Sequence, residues 1–480
     1  MTDARDRVSL RLSELGEGAR SILRNAGTYL SGLTTPVVRL GVTGLARSGK
    51  TVFITALVRN LLNGGRLPFF RAYAEGRVQR VYLEPQPDDA VPRFAYEDHL
   101  SALARDPPAW PESTRRIGQL RITFEFKPHA TLLRAAGMRT LHLDIVDYPG
   151  EWLLDLGLLG QRYEEWAHEA LMPARTRTPE HAAAASAFLG FLAGLNPAAP
   201  QPEDTARVGA ELFTAYLRAQ RAADPNFSTL GTGRFLMPGD FEGSPLLTFF
   251  PLAPRPEPWP DGSLGAMMAR RYDSYRAHVV KPFFRNHFGR LDRQIVLIDA
   301  LAALHGGAPA VAGLAHALES CLKAFRSGAN TWLSAILARR IDRILFAAAK
   351  ADHLHQDHHR DLTDIVRSIV APTSSRAQAA GAKIEVLALA ALRSTREARY
   401  GGERLPCVSG VLLPGQRLAD GSVSAGIGES AVFPGDLQTQ DGAAGNFRFR
   451  PPRLSQDGSA SWPHIRLDTA LEFLIGDKLV

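Results

Sequence analysis

This sequence has few lysines and cysteines, and it contains no long uninterrupted apolar run. Its 480 residues include only seven lysines although Lys+Arg total 56, so arginine carries most of the positive charge. The two cysteines cannot form a disulfide framework, and their spacing is not that of metal ligands, which favours a reducing compartment. No stretch reaches the roughly 20 apolar residues that a membrane-spanning helix needs. We therefore expect a cytoplasmic protein without a signal peptide.

The charge pattern argues against nucleic acid as a partner. The net charge is +7 at pH 7, and the arginines are scattered among acidic residues. Nucleic-acid-binding proteins concentrate basic residues into a stripe or tail, so we expect no specific nucleic-acid partner. Within residues 7–25, apolar residues recur at helical spacing beside arginines, which predicts an amphipathic helix. That helix either docks on the main domain or lies on an anionic membrane surface.

Strand and helix patterns alternate along the chain, which predicts a mostly parallel α/β sheet. A β-branched run at 36–42 predicts a buried strand, and 51–62 has the apolar spacing of a helix. Residues 66–115 contain many prolines and are expected to be irregular. No helix separates the alternating strand 119–127 from the strand 141–146, so we expect this pair to be antiparallel. Further strands are predicted at 294–298, 343–348 and 384–392.

The strongest motif is Gly-Leu-Ala-Arg-Ser-Gly-Lys-Thr at 44–51, which matches G-x-x-x-x-G-K-[ST] between a predicted strand and a predicted helix. Its glycines allow backbone N–H groups to turn inward as an anion site, and the helix points its positive end at the phosphates. Lys50 is expected to reach the β- and γ-phosphates, and the Thr51 hydroxyl to ligate Mg²⁺. The nucleotide-contacting residues expected here are Thr43, Gly44, Arg47, Ser48, Gly49, Lys50 and Thr51.

A second motif, Asp-Tyr-Pro-Gly at 147–150, follows a buried strand. Asp147 is expected to support the Mg²⁺ shell, and the Gly150 N–H to meet the γ-phosphate and sense its loss. Asp144 is the rival acid, but strand periodicity points its side chain to the face opposite that of Asp147. Thr114, which precedes the strand at 119, is expected to complete the magnesium shell. The predicted metal site therefore combines Thr51, Thr114 and Asp147.

Glu151 follows the glycine of this motif, where many GTPases carry a water-positioning glutamine. A carboxylate here can orient water, but it also adds negative charge near the γ-phosphate. We therefore predict slow intrinsic hydrolysis, with Lys50, Thr114 and Glu151 as the catalytic residues.

A base-reading motif, Lys350-Ala351-Asp352, follows the strand at 343–348. A carboxylate at Asp352 can accept both the N1–H and N2–H of guanine, a donor pair that adenine lacks. The stem of Lys350 can pack over the base. Residues 349–352 resemble the N/T-K-x-D motif of GTPases, but Ala349 stands at the position where that motif has Asn or Thr. This difference leaves the strength of the preference for GTP over ATP open. His353 and Arg393, which follows the strand at 384–392, complete the expected nucleotide-contacting set.

Together these segments occur in the order typical of a GTPase. The chain between the second motif and the base-reading motif is, however, much longer than in a minimal GTPase. The excess predicts an inserted, mainly helical subdomain. The expected division is an N-terminal amphipathic helix and linker at 1–35, core at 36–154, inserted subdomain at 155–290, core at 291–400, and short strands with a helix at 401–480.

Four segments make the sequence resemble the YcjX-like family of bacterial P-loop GTPases. They are G-L-A-R-S-G-K-T at 44–51, D-Y-P-G-E-W at 147–152, P-G-D-F-E-G-S-P-L-L-T-F at 238–249 and K-A-D-H-L-H at 350–355. The resemblance covers most of the chain. It implies a Ras-like mixed sheet of the P-loop NTPase class with an added helical domain, GTP/GDP and Mg²⁺ as ligands, and a cytoplasmic, stress-associated role. It also implies an envelope-stress or membrane-protein partner.

Two other functions are compatible with the same residues. One is a membrane-associated scaffold that binds nucleotide with negligible turnover, in peripheral contact with the inner membrane. The other is an ATP-using P-loop enzyme. Turnover with and without anionic liposomes tests the first, and the comparison of GDP with ATP binding tests the second.

Overall fold

A computed structural model describes most of the chain. The described residues are 35–44, 47–112, 114, 116–129, 138–175, 182–223, 232–323, 341–379, 381–400, 405–416, 423–432, 448–454 and 461–480. The amphipathic helix predicted at 7–25 lies outside them, as do residues 45–46 of the phosphate loop. Among the described residues, no helix is both long enough and apolar enough to cross a bilayer.

The main sheet is built from strands that read as apolar or alternating runs in the sequence. They are β1 (Val37–Gly44), β2 (Val78–Glu84), β3 (Gly118–Phe126), β4 (Arg139–Asp147), β5 (Arg293–Ile298), β6 (Arg343–Ala348) and β7 (Lys383–Ala388). Within the described ranges their order is β2-β3-β4-β1-β5-β6-β7. The strands from β4 to β7 in this order are parallel, whereas β3 pairs antiparallel with both β2 and β4. The predicted antiparallel pair and the mixed α/β fold of the P-loop NTPase class are thus confirmed.

Helices flank the sheet and cover its two faces with separate apolar clusters. One cluster joins the helices Lys50–Leu62 and Leu467–Ile475 to residues such as Leu40 and Leu345. The other joins Val296 and Phe346 to the aromatic interior of the chain between β4 and β5. The helices of the core are α1 (Lys50–Leu62), α2 (Arg71–Ala74), α3 (Tyr96–Ala104), α10 (Ala300–His305), α11 (Gly307–Lys323), α12 (His359–Ala379) and α13 (Leu467–Ile475).

Between β4 and β5 the regular structure of the described chain is helical, and loops such as 248–262 connect its helices. A 3₁₀ segment at Gly150–Gly160 directly follows the second motif, and a π turn at Arg276–Val280 joins the helices Leu264–Tyr275 and Lys281–Asn286. Aromatic side chains form the interior, for example Trp166 stacked on Tyr272 with ring centroids 5.1 Å apart. The other helices are α4 (Tyr163–Arg175), α5 (Ala182–Ala193), α6 (Glu203–Ala223), α7 (Gly233–Leu236), α8 (Leu264–Tyr275) and α9 (Lys281–Asn286).

The prediction that 66–115 is irregular was wrong, because this stretch contains α2, β2 and α3. The prolines lie in the links between these elements and not inside them. β2 pairs with β3 at the edge of the sheet, where Val81 and Leu83 pack against the core. Tertiary pairing therefore stabilises a strand that local composition did not indicate.

The last parallel strand also ends earlier than predicted, at Ala388 instead of residue 392. The backbone beyond it leaves the sheet, and Ala390 pairs with Ile465 instead. A second, three-stranded sheet follows, formed by β8 (Arg396–Tyr400), β9 (Leu405–Gly410) and β10 (Ser430–Val432).

Parallel strands place their carboxyl ends at one edge, where α/β proteins bind ligands. The loops after β1, β4, β5, β6 and β7 all begin at this edge. They carry the phosphate loop, the residues from Asp147 onward, Asp299, the base-reading motif and Arg393.

Candidate functional site

The loop between β1 and α1 requires glycine at two positions. Gly49 directly precedes α1 with a φ of 88°, a conformation in which a side chain is strained. A Cβ on Gly44 would lie 2.4 Å from Ser48 Oγ and 2.5 Å from the carbonyl oxygen of Leu297, so only glycine fits. Because α1 begins at Lys50, its first N–H groups, which have no partner within the helix, are available to an anion.

Three polar side chains are buried around this loop, and two of them lack a hydrogen-bond partner among the described residues. Lys50 Nζ donates a hydrogen bond to the Gly44 carbonyl oxygen at 2.8 Å. The hydroxyls of Thr43 and Ser48 are buried, and neither has a hydrogen-bond partner among the described residues. Buried hydroxyls are normally hydrogen-bonded, so this arrangement suits the oxygens of a bound phosphate. Arg47, in contrast, is exposed, with a φ of 64°.

Three oxygen-bearing side chains from separate parts of the sequence meet beside Lys50. Thr114 donates its hydroxyl hydrogen to Asp147 Oδ2 at 2.7 Å, and its Oγ1 lies 3.3 Å from Thr51 Oγ1. Thr51 lies in the first turn of α1, Thr114 precedes β3, and Asp147 ends β4. Hydroxyl and carboxylate oxygens are the donors that a hard cation such as Mg²⁺ takes.

The carboxylate of Asp147 has an unused oxygen within this group. Asp147 is buried, and its Oδ1 has no hydrogen-bond partner among the described residues. Burial raises the pKa of this carboxyl to about 6, although the charge of Lys50 and the Thr114 hydroxyl oppose that rise. A divalent cation at this position would favour the ionised form and use the free oxygen. The residues therefore fit Mg²⁺.

Asp144, the rival acid, is committed to another partner. Its two carboxylate oxygens accept hydrogen bonds from Arg121 Nε at 2.6 Å and from Arg121 Nη2 at 2.8 Å. Asp144 is fully buried, and Arg121 lies opposite it on β3. A bidentate pair of this kind leaves the carboxylate poorly available to a metal.

The residues after the second motif contact the helical region. Gly150 begins the 3₁₀ segment, and the next residue, Glu151, accepts a hydrogen bond from Arg221 of α6 at 2.5 Å. The side chain of Glu151 is only 7% exposed. The carboxylate expected to position water is therefore held by an arginine that sequence reasoning did not single out.

Two further residues of the 3₁₀ segment make similar contacts. The guanidinium carbon of Arg234 lies 3.2 Å from the ring centroid of Trp152, a cation–π arrangement. Asp155 accepts hydrogen bonds from the Gly233 N–H at 2.6 Å and from the Tyr275 hydroxyl at 2.8 Å. Burial raises the pKa of Asp155 to about 6. The segment that follows the D-x-x-G glycine is thus attached to α6, α7 and α8.

The base-reading loop is held at both of its polar residues. Lys350 adopts a left-handed backbone conformation with a φ of 60°, and its Nζ forms an ion pair with Asp299, which follows β5. Asp352 is buried, and its Oδ2 accepts hydrogen bonds from the Ser394 N–H at 2.8 Å and from the Ser394 hydroxyl at 2.7 Å. The opposite carboxylate oxygen, Oδ1, is in none of these bonds.

The other two residues expected at the base have side chains engaged elsewhere. His353 packs edge-on against Phe449 with ring centroids 5.0 Å apart, and burial lowers the pKa of this histidine. Arg393 Nε donates to the carbonyl oxygen of Thr395 at 3.0 Å, and its guanidinium pairs with Glu397. The loop that carries Arg393 nonetheless reaches the site, because Ser394 holds Asp352.

Sequence reasoning missed Asp299, Ser394 and Arg221. The first two follow strands β5 and β7, so a search for polar residues just beyond each parallel strand would have found them. Arg221 has no comparable signal, because it lies 70 residues from Glu151 on a helix with several other arginines.

Comparison with known proteins places the chain among related sequences. It matches the YcjX-like family (DUF463) over residues 38–479. It is 38% identical over 464 residues to the Ras-like GTPase YcjX of Escherichia coli, an alignment covering 92% of this chain and 96% of that protein. It is 34% identical over 504 residues to the Ras-like GTPase YcjX of Shewanella oneidensis, covering 98% of this chain and 99% of that protein.

Proposed function

Because this chain belongs to the YcjX-like family and is a GTPase-like P-loop protein, we propose that it is a Mg²⁺-dependent GTP-hydrolysing switch. The observation that carries the proposal is the meeting of Thr51, Thr114 and Asp147 beside Lys50. These residues come from three separated segments, and their hydroxyl and carboxylate oxygens gather next to a loop suited to phosphate. Such a set supports phosphoryl transfer better than simple anion binding.

The phosphates would be bound by the loop 44–51. Its backbone N–H groups and the N-terminus of α1 neutralise the α- and β-phosphates. Lys50 would exchange its bond to the Gly44 carbonyl for the β- and γ-phosphates, because a phosphate oxygen is the stronger acceptor. The unpartnered hydroxyls of Thr43 and Ser48 lie beside the same loop.

Mg²⁺ would be held by Thr51 and Thr114, with Asp147 supporting the shell directly or through water. When bound, the ion neutralises charge that develops on the transferred phosphoryl group. The protein's own part is to deliver these oxygens from three segments and to keep Asp147 ionised through the nearby charge of Lys50.

The base would be read by Asp352. Ser394 bonds to Oδ2 and orients the carboxylate. Oδ1 would then accept from the guanine N1–H and N2–H. Adenine offers no N1–H and N2–H donors to this carboxylate, so Oδ1 would stay unpaired, which costs adenine nucleotides affinity. This arrangement supports a preference for guanine despite Ala349.

Hydrolysis would depend on Glu151, which follows the residue whose N–H meets the γ-phosphate. The pairing with Arg221 offsets the negative charge of the glutamate, so a water-orienting carboxylate can remain close to phosphate. We propose that turnover is slow without a further factor, because a carboxylate stands where many GTPases carry a neutral glutamine.

The nucleotide state would be transmitted to residues 155–290, which we propose as the inserted subdomain. Loss of the γ-phosphate releases the Gly150 N–H, and the 3₁₀ segment that begins at Gly150 bears Glu151, Trp152 and Asp155. Each of these is bonded to the helical region, so a shift in the segment moves the contacts of α6 and α7.

The cellular setting is part of the proposal. Family resemblance supports a stress-associated role in the cytoplasm with an envelope or membrane-protein partner. The basic apolar pattern at 7–25 supports contact with the inner membrane, which flotation of the full chain with anionic and neutral liposomes tests. Binding to both or to neither would oppose an electrostatic membrane contact.

Calorimetric titration with GDP, GTP and ATP in Mg²⁺ tests the central proposal. We expect GDP and GTP to bind and ATP to bind at least 100-fold more weakly, a ratio available to a site that leaves buried polar groups unpaired. Phosphate release from GTP should be lost in Lys50→Ala. Tight ATP binding without GDP binding would favour an ATP-using enzyme, and GTP binding with no phosphate release would favour the scaffold.

A further inference from the structure

Asp299 lies directly after β5 and uses its two carboxylate oxygens for different partners. Oδ2 forms an ion pair with Lys350 Nζ, and Oδ1 accepts the Ala302 N–H at 3.2 Å, which caps α10. The side chain of Asp299 is nearly buried, with 8% exposed, whereas that of Lys350 is 27% exposed. One residue therefore connects the start of a helix to the lysine of the base-reading loop.

The sheet register brings these two residues together. β5 and β6 are parallel neighbours in which Ile298 aligns with Ala348. The Ala349 N–H donates to the Ile298 carbonyl oxygen at 2.8 Å, so the chain leaves both strands at the same level. Asp299 lies one residue beyond β5 and Lys350 lies two residues beyond β6, and their side chains form the ion pair at this edge of the sheet.

The loop at Lys350 needs such a support. Its φ of 60° lies in the left-handed region, which costs free energy for a residue with a side chain. The side chain of Ala349 has no polar group with which to tie the loop to its surroundings. A flexible lysine stem also loses rotamer entropy when it is fixed, a cost that an ion pair formed before binding removes.

We propose that Asp299 is a positioning residue for base recognition, which holds Lys350 so that its stem lies along the face of a bound guanine. The proposal rests on the proposed guanine-nucleotide function. Asp352 reads the edge of the base, and the pair Asp299–Lys350 presents an ordered apolar surface to its face. The two acids thus serve different parts of the same base.

The proposed roles of Asp299 and Asp352 predict different affinities for nucleotides with altered bases. Contact with the face of a purine does not depend on the group at C2, whereas the Asp352 carboxylate pairs with the N2–H of guanine. Inosine diphosphate lacks that amino group, and xanthosine diphosphate carries an oxygen there. Loss of Asp299 should therefore weaken all three diphosphates equally, and loss of Asp352 should change their ratios.

Asp299→Asn is the variant of choice because asparagine also caps helices and keeps the shape of aspartate. In calorimetric titrations of the full chain, we expect the Kd for guanosine, inosine and xanthosine diphosphates to rise about tenfold each, the loss of one charge-assisted hydrogen bond. Asp352→Asn should instead weaken GDP and strengthen xanthosine diphosphate relative to GDP. A change in base ratios on Asp299→Asn would contradict a positioning role.

Asp342→Asn is the matched control. Asp342 lies one residue before β6, at the opposite end of the strands, and also forms an ion pair with an arginine, Arg293. We expect its Kd values to stay within twofold of wild type. Equal weakening by Asp342→Asn would show a general loss of sheet stability and would overturn the proposal.

A double-mutant cycle with Lys350→Met shows whether Asp299 acts through the lysine. Methionine keeps an unbranched stem but cannot pair with the carboxylate, so Asp299→Asn should add less than twofold in its presence. An unchanged tenfold effect in the Lys350→Met background would mean that Asp299 acts on binding independently of Lys350, and it would overturn the proposal. If wild-type protein binds no guanine nucleotide at all, the proposed function fails before this inference is reached.

Discussion

Arg221 donates a hydrogen bond to Glu151 at 2.5 Å, which connects α6 to the residue after the D-x-x-G glycine. The two residues are 70 positions apart, and the glutamate side chain is nearly buried. A buried carboxylate without its cation is costly, so the arginine determines whether Glu151 stays in place. The pair joins the proposed catalytic centre to the helical region.

Arg221→Ala should therefore impair hydrolysis more than binding. Without its partner, Glu151 is expected to turn toward solvent, and the single-turnover rate of GTP hydrolysis should fall about tenfold, as for loss of one positioned catalytic group. The Kd for GDP should remain within twofold, because neither residue touches the base or the β-phosphate in the proposed mode. Stability should fall by about 2 kcal/mol.

Arg207→Ala is the matched control for that experiment. Arg207 lies on the same helix and pairs with Glu211 at 2.8 Å, but it is 54% exposed. Its removal should change neither the hydrolysis rate nor the stability by a measurable amount. If wild type and Arg221→Ala instead hydrolyse GTP at equal rates, catalysis does not depend on the contact between Glu151 and α6.

The proposed magnesium site predicts a difference between two acids on β4. Asp147→Asn should reduce the Mg²⁺-dependent tightening of GTP binding by roughly 10- to 100-fold, as for other groups that support a metal shell. Thr51→Ala should act in the same direction. Titrations with GTP in Mg²⁺ and in EDTA measure this ratio.

Asp144→Asn separates metal support from stability. It breaks the buried pair with Arg121, so we expect a loss of about 3 kcal/mol in the free energy of unfolding. The ratio of GTP affinity in Mg²⁺ to GTP affinity in EDTA should stay at the wild-type value. If Asp144→Asn reduced this ratio and Asp147→Asn left it unchanged, Asp144 and not Asp147 would support the metal shell.

The fluorescence emission of Trp152 is expected to depend on the bound nucleotide. Its ring lies 3.2 Å from the guanidinium carbon of Arg234, and its Nε1 donates to the Met237 carbonyl oxygen at 2.8 Å. If loss of the γ-phosphate shifts the 3₁₀ segment, both contacts change and the indole emission changes with them. The difference in emission between GDP and a non-hydrolysable GTP analogue should disappear in Trp152→Phe. A difference that persists in this variant would come from another tryptophan and would argue against movement here.

Asp155 gives the protein a pH-dependent term in stability. Burial raises its pKa to about 6, so the folded protein binds this proton more tightly than the unfolded chain. The contribution of this carboxyl to the free energy of unfolding is therefore greatest below pH 4 and is lost as pH rises through 6. By pH 8 the ionised carboxylate costs about 3 kcal/mol relative to the protonated form.

Asparagine resembles the protonated acid and does not titrate. Relative to wild type, Asp155→Asn should gain about 2.5 kcal/mol of unfolding free energy between pH 4 and pH 8, measured by denaturant titration. The exposed control Asp273→Asn should differ from wild type by less than about 0.5 kcal/mol at both pH values. A constant difference for Asp155→Asn across this range would contradict the raised pKa.

Sequence reasoning predicted the sheet well where a local pattern was complete. The run at 343–348 became β6 within those bounds, and the missing helix between 119–127 and 141–146 predicted the antiparallel pair. It failed at β2, because an edge strand with several polar residues is stabilised by pairing with β3 and not by its own composition. Periodicity alone carries no information about that partner.

For the candidate site, the sequence by itself determined the chemical types and their order. Glycines, a lysine and a threonine in the phosphate loop, Asp147 after a buried strand, and Asp352 after another were visible because each motif is contiguous. Only the tertiary structure decided their partners. The parallel strands bring Asp299 to Lys350 and Ser394 to Asp352, and the helical region brings Arg221 to Glu151. A contact between distant segments depends on strand register and helix packing, and neither is encoded in the residues at the contact.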